Sequence, residues 1–313
     1  MDHKILGLHH VTATVDDAQQ DLDFFRDVLG LRLVKRTVNF DNHNVFHFYY
    51  GNEQGTPGTI WTTFPYGGWG VPLGTKGAGQ IGATSFSVPV GSLDEWRTRL
   101  AGKGMAVGDG PSRFGDASIL FDDPSGLSVE LVASGRDART PWVADGIDPE
   151  MAIRGLHSVT MHVRVPDASV RFMTDVLGFR VVNEMEGRLR LAVNGDEPGK
   201  TIEIAHDLQA PTARNGLGTV HHVAMAIATG EEQRRLQQDL WNLGYQVTDV
   251  LDRQYFTSIY FREPGGVLFE VATVPPGFLI DEDLAHLGEA LRLPPWEEAN
   301  RREIEAGLPK VTS

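Results

Sequence analysis

The chain has 313 residues, 42 acidic side chains against 28 Lys and Arg, a formal net charge of -14 and no cysteine. The charge argues against nucleic acid or an anionic membrane as partner, and the missing thiols exclude disulfides, thiolate metal sites and a cysteine nucleophile. No apolar run reaches membrane-spanning length and Met1-Asp2-His3-Lys4 does not open a signal peptide, so the expectation is a cytoplasmic globular chain with a sizeable core.

In chain order, Val11 to Val15 reads as an apolar strand. Asp21 to Leu29 reads as a helix with Leu22, Phe25, Val28 and Leu29 on one face, stopped at Gly30. Arg32 to Asn39, Val45 to Tyr50 and Thr59 to Phe64 follow as strands. The same grammar then returns three times. Thr84 to Val88 precedes a helix from Leu93 to Leu100 that ends near Gly102 or Gly104. Val159 to Val163 precedes Gly178, and Val223 to Ile227 precedes a helix from Leu236 to Leu243 and Gly244. The last unit ends in a hairpin, Arg253 to Thr273, turned at Pro264-Gly265-Gly266. In its second strand Glu270 stands among apolar neighbours, and a buried carboxylate needs a cation or a proton.

The units are repeats. Leu8-His9-His10-Val11-Thr12 recurs as Leu156-His157-Ser158-Val159-Thr160, and in the same register Asp27-Val28-Leu29-Gly30-Leu31 becomes Asp175-Val176-Leu177-Gly178-Phe179. Phe121 to Glu130 matches Phe261 to Glu270 without a gap, and that register also pairs Arg113 with Arg253. The predicted fold is α+β, four βαβββ modules forming two open, barrel-like β domains. The N-terminal half is 1–145 (units about 1–75 and 79–145), and the C-terminal half is 150–275 (units about 150–215 and 218–275). A tail, 276–313, reads as helices from Glu282 to Leu291 and from Trp296 to Leu308, expected to pack over the barrel or over a neighbouring subunit of a homo-oligomer.

Several stretches together resemble the vicinal oxygen chelate superfamily (glyoxalase, bleomycin resistance, extradiol dioxygenase) and, within it, the ring-cleaving dioxygenases of the hydroquinone type. They are Leu8 to Thr12, Leu31 to Phe40, Gly55 to Thr59, Val220-His221-His222-Val223, Arg253 with Tyr260, Gly265 to Glu270 and the tail motif Pro276 to Glu282. In that superfamily metal ligands project from the first and last strands of a module. Starting from His222, the gapless register that pairs Glu130 with Glu270 places Gly82 in unit two, and aligning Val11, Val159 and Val223 places His10 and Ser158 in units one and three; the last-strand positions are Glu130 and Glu270. His157 aligns with His9, so strand alternation is expected to turn it away. Only pairing unit one with unit four assembles His10, His222 and Glu270, a facial triad for Fe(II), with Mn(II) also suited. The other pair keeps Glu130 beside Gly82 and Ser158.

The resemblance further implies roles for His9, His221, Tyr260 and Arg253 around the metal: the first three as acid/base groups, Arg253 as charge partner. It implies an aromatic diol and O2 as substrates, a para-diol such as hydroquinone first and an ortho-diol second. His43 and His47 read as surface or packing residues, and His3, His162, His206 and His286 as structural or solvated. A glyoxalase-type isomerase and a non-catalytic ligand-binding protein remain alternatives. The first would need a further ligand where Thr62 and Thr63 stand.

Overall fold

The computed structural model describes residues 4–111 and 113–312, and His3 lies outside them. Each module contributes four strands. Unit one gives β1 (Ile5–Val15), β2 (Arg32–Asn39), β3 (Asn42–Gly51) and β4 (Ile60–Pro65); unit two gives β5 (Gln80–Val88), β6 (Gly108–Asp109), β7 (Ser118–Asp122) and β8 (Ser128–Ala133). Unit three gives β9 (Gly155–Val163), β10 (Arg180–Met185), β11 (Arg188–Ala192) and β12 (Thr201–His206); unit four gives β13 (Thr219–Ile227), β14 (Leu251–Asp252), β15 (Thr257–Arg262) and β16 (Leu268–Thr273). Between the first and second strands of the units lie α1 (Ala18–Leu22), α2 (Leu93–Gly102), α3 (Asp167–Asp175) and α4 (Gly230–Asn242).

The chain folds crosswise. One eight-stranded sheet has the order β14-β15-β16-β13-β1-β4-β3-β2, from units four and one; the other has the order β10-β11-β12-β9-β5-β8-β7-β6, from units three and two. In each, the first strands of two units meet antiparallel at the seam, β1 on β13 and β9 on β5. These seam strands are buried along most of their length, and their polar residues, among them His10, Thr12, Ser158 and His222, are buried with the apolar ones. Phe25, Trp61, Phe86, Trp96 and Leu100 are buried in the resulting core.

Three local readings change. The first helix starts earlier, at Ala18, because the Asp17 carboxylate accepts from the amides of Gln19 and Gln20. It then widens into a π-helical turn, Asp23–Val28, that buries both Phe24 and Phe25. Arg253 to Phe256 is a loop rather than strand, with Gln254 at a positive φ, and the turn beyond β15 is held by the Glu263 carboxylate accepting from the amides of Gly265 and Val267. The tail helix expected from Glu282 to Leu291 does not form. Short 3-10 turns replace it, since Gly288 sits at φ 79 against the Leu33 carbonyl and Leu291 bridges to Arg36. The helix expected from Trp296 to Leu308 is shorter, a 3-10 turn at Glu298–Asn300 leading into α5 (Arg301–Gly307).

Candidate metal centre

β-Bulges at the seam build the site. Along β1 and β13 the register slips at His9 and again at His221, leaving each as the extra residue of a bulge. Adjacent residues of a regular strand point to opposite faces and cannot hydrogen-bond. Here the bulges bring neighbours together, with His9 Nδ1 2.9 Å from His10 Nδ1 and His221 Nδ1 2.8 Å from His222 Nδ1. Glu270 enters from β16, opposite Ala224 of β13.

Three atoms able to ligate a metal converge. His222 Nε2 lies 2.8 Å and His10 Nε2 3.3 Å from Glu270 Oε2, and the two Nε2 atoms are 3.2 Å apart. All three side chains are buried. Glu270 Oε1 accepts from the Ser258 hydroxyl, while Oε2, also buried, receives no hydrogen bond. Burial alone would raise the Glu270 pKa, but the imidazoles of His10 and His222 outweigh it and hold the carboxyl well below its usual range. An anionic oxygen without a donor, facing two imidazole nitrogens, fits a divalent cation.

A nitrogen that ligates a metal carries no proton, which fixes the tautomers outward from the centre. His10 and His222 would then carry their protons on Nδ1 and donate them to His9 and His221. Burial keeps both acceptors neutral, with pKa values lowered to about 3. His9 packs edge-on against Phe256 and hydrogen-bonds the backbone of Thr273; it does not line the cavity, so it supports His10 rather than reaching a substrate.

The cavity in front of Glu270 measures about 380 Å³. His221, Tyr260 and Arg253 line it, as do Tyr49, Phe64 and Phe256. The Tyr260 ring stands edge-on to His222 with centroids 5.5 Å apart, and the Arg253 guanidinium lies 5.4 Å from the Tyr260 ring centre. Burial, reinforced by Glu270, pushes the Tyr260 hydroxyl above its ordinary range, so it stays protonated.

His47 was expected at the surface or in packing, yet it is buried and lines this cavity. Its Nε2 lies 2.9 Å from Thr62 Oγ1, and Thr62 donates its own proton to Thr12. His47 therefore donates through Nε2 and keeps a lone pair on Nδ1. The alternation of β3, which turns His47 and Tyr49 to the same side, carried that signal. His43 instead meets Glu297 in the tail.

The second sheet shows what the same architecture does without the histidines. Ser85 lies opposite Glu130 as Ala224 lies opposite Glu270, so the counterpart of His222 is Ala83, and Gly82 is the bulge residue. The expected Gly82 is one position off because unit two is one residue shorter than unit four between its first and last strands, so the register of the last strands does not carry back to the first. His157 is likewise the bulge residue and is not turned away: its Nδ1 is 3.1 Å from Ser158 Oγ. Glu203 takes the place of Thr62, and Arg113 enters where a metal would sit, donating to Glu130 and, at 2.6 Å, to Glu203. A guanidinium substitutes for the ion.

Curled sheets of βαβββ modules around a buried His-His-Glu cluster define a metal-site fold. The family model for the Glyoxalase/Bleomycin resistance protein/Dioxygenase superfamily matches residues 7–131 and 155–271. The protein assigned as ring-cleaving dioxygenase MhqE of Bacillus subtilis (strain 168) is 42% identical over 308 residues, 98% of this chain and 100% of that one. The chlorohydroquinone/hydroquinone 1,2-dioxygenase of Sphingobium indicum is 36% identical over 312 residues, 97% and 96% of the two chains. A crystal structure of a protein assigned as a dioxygenase from Bacillus subtilis superposes with a TM-score of 0.94 at 40% identity, covering 99% of this chain and 98% of that one. The chain belongs to this superfamily, and it is a ring-cleaving dioxygenase, an oxidoreductase.

Proposed function

We propose that the chain is an Fe(II)-dependent, extradiol-type dioxygenase of the cytoplasm that opens hydroquinone-like or catechol-like rings, with His10, His222 and Glu270 as metal ligands; Mn(II) suits the same donors. The observation that carries this is the convergence of two Nε2 atoms on a buried Glu270 oxygen that has no hydrogen-bond donor. The similarity to a chlorohydroquinone/hydroquinone dioxygenase favours the para-diol. The absence of a fourth ligand at Thr62, whose hydroxyl is spent on Thr12, speaks against a glyoxalase-type isomerase.

A ferrous ion, when bound, supplies Lewis acidity toward a diol oxygen and a route for electrons from the ring to O2. The protein's own groups hold and protonate the reactants. Tyr49, Phe64 and Phe256 wall the ring and exclude water, in a volume at the small end of ligand pockets and suited to a single ring. His47 Nδ1 offers the acceptor for a hydroxyl proton. His221, acceptor at Nδ1 toward His222, presents an N–H and is a donor. Tyr260 keeps its proton and acts as a general acid, with Arg253 against it to stabilise negative charge.

The test is O2 uptake by iron-loaded protein with hydroquinone and with catechol, using isotopically labelled O2. One O2 consumed per ring opened, with both atoms in the product, is the expected result. No uptake with either diol, at full iron occupancy, would remove the proposal.

A further inference from the structure

Arg253 is the sole Lys or Arg among the residues lining the cavity, so it is the group a negatively charged ring substituent would seek. Its fork is already taken. Arg253 Nη1 and Nη2 donate to Asp41 Oδ1 at 3.3 Å and Asp41 Oδ2 at 3.1 Å, a two-point pair of the kind guanidinium makes with any carboxylate. Asp41 is at the tip between β2 and β3 and also lines the cavity. Its side chain is 72% exposed and that of Arg253 only 15%, so the carboxylate closes the pair from the solvent side. Besides Arg253, Asp41 and Glu270 the lining holds no Lys, Arg, Asp or Glu.

We infer that Asp41 is a specificity-determining residue: by occupying the Arg253 fork it denies the cavity to rings that carry a carboxylate. A carboxylated diol would have to displace Asp41 from Arg253 and then sit beside it, like charge against like. An uncharged diol meets neither cost. The second sheet shows that an arginine at this repeat position bonds carboxylates readily. Arg113, the counterpart of Arg253, gives its donors to Glu130 and Glu203. The inference rests on the dioxygenase reading for its substrate class, but not for its charge selectivity.

The experiment compares kcat/KM for hydroquinone and for 2,5-dihydroxybenzoate in the iron-loaded wild type, Asp41→Asn and Asp41→Glu. Expected is a ratio favouring hydroquinone in the wild type and in Asp41→Glu. In Asp41→Asn the ratio narrows by about tenfold or more, through KM for the carboxylated ring, as removing a repelling charge at a recognition surface does. An unchanged ratio in Asp41→Asn overturns the inference. In parallel, calorimetric titration of each metal-loaded protein with benzoate reads the same property without turnover: benzoate binds Asp41→Asn more tightly than wild type, and equal affinity overturns the inference. Should the wild type open no diol at all, the functional proposal falls while the benzoate titration still decides the role of Asp41. If Asp41→Asn cannot be obtained loaded with metal, Asp41→Ser gives the same two readings.

Discussion

The centre depends on three atoms and on the rings that orient two of them. His10→Ala, His222→Ala or Glu270→Ala removes one of three donors, and each variant is expected to lose its metal on dialysis against a chelator. His157→Ala, in the other sheet, is expected to keep it. Metal analysis by mass spectrometry decides, and full metal in His10→Ala would withdraw that ligand. Replacing His9 or His221 by Phe leaves all three donors but removes the acceptor for the ligand's Nδ1 proton. The expected cost is about 10- to 100-fold in metal affinity, the usual penalty for losing such an outer partner. Tyr260→Phe touches neither donor nor tautomer. It is expected to retain metal and lose on the order of 10²-fold in turnover, the contribution typical of a positioned acid. Wild-type turnover in the iron-loaded variant would take Tyr260 out of the chemistry.

Among the elements, α1 carries a buried acid, Asp21, just before the π-helical turn. Asp21 Oδ2 accepts from the Tyr50 hydroxyl at 2.7 Å and from the Thr63 hydroxyl at 2.6 Å, while Oδ1 has no partner. Burial is the largest influence on this carboxyl and raises its pKa to about 7. The folded protein therefore holds a proton at Asp21 that the unfolded chain, with an ordinary carboxyl, releases at lower pH. The stability this adds is complete below about pH 4 and is lost as pH rises toward 7, up to roughly 4 kcal/mol over the window. Asp21→Asn cannot titrate. Urea unfolding across pH 4 to 8 is expected to show the variant gaining on wild type as pH rises; parallel curves would mean Asp21 is ionised throughout. None of this was legible from the sequence, where Asp21 is one more polar residue opening a helix. What was legible is whatever repeats: the βαβββ order, the strand pair of each hairpin and the glycine stops. A one-residue difference in length between units moved the expected counterpart of His222 from Ala83 to Gly82, and a bulge concealed how His157 faces. The role of His47 was missed for a related reason. It belongs to a strand whose polar residues read as surface until a neighbouring unit closes over them.

At the scale of the molecule, the two halves of the chain each lack something. Residues in unit one supply His10 and those in unit four supply His222 and Glu270, on strands that are direct neighbours in one sheet of one chain. Because every unit pairs with its counterpart from the other half, closure brings the donors together with no association cost. The second sheet, built alike, is a brace. Its Arg113, Glu130 and Glu203 are all buried, so removing the guanidinium leaves Glu130 without a cation, while Glu203 keeps Arg190. Arg113→Met is thus expected to destabilise the protein by about 3–5 kcal/mol without removing any donor of the metal centre. The one-chain site makes a sharper prediction. If the donors of each centre came from two chains, mixing His10→Ala with Glu270→Ala would regenerate some intact centres. With all three on neighbouring strands of a single chain, every chain in the mixture carries one damaged centre. After unfolding and refolding the two variants together with iron, O2 uptake with hydroquinone is therefore expected to stay at the level of either variant alone. Recovery toward a quarter or more of wild-type activity would mean that unit one is lent between subunits.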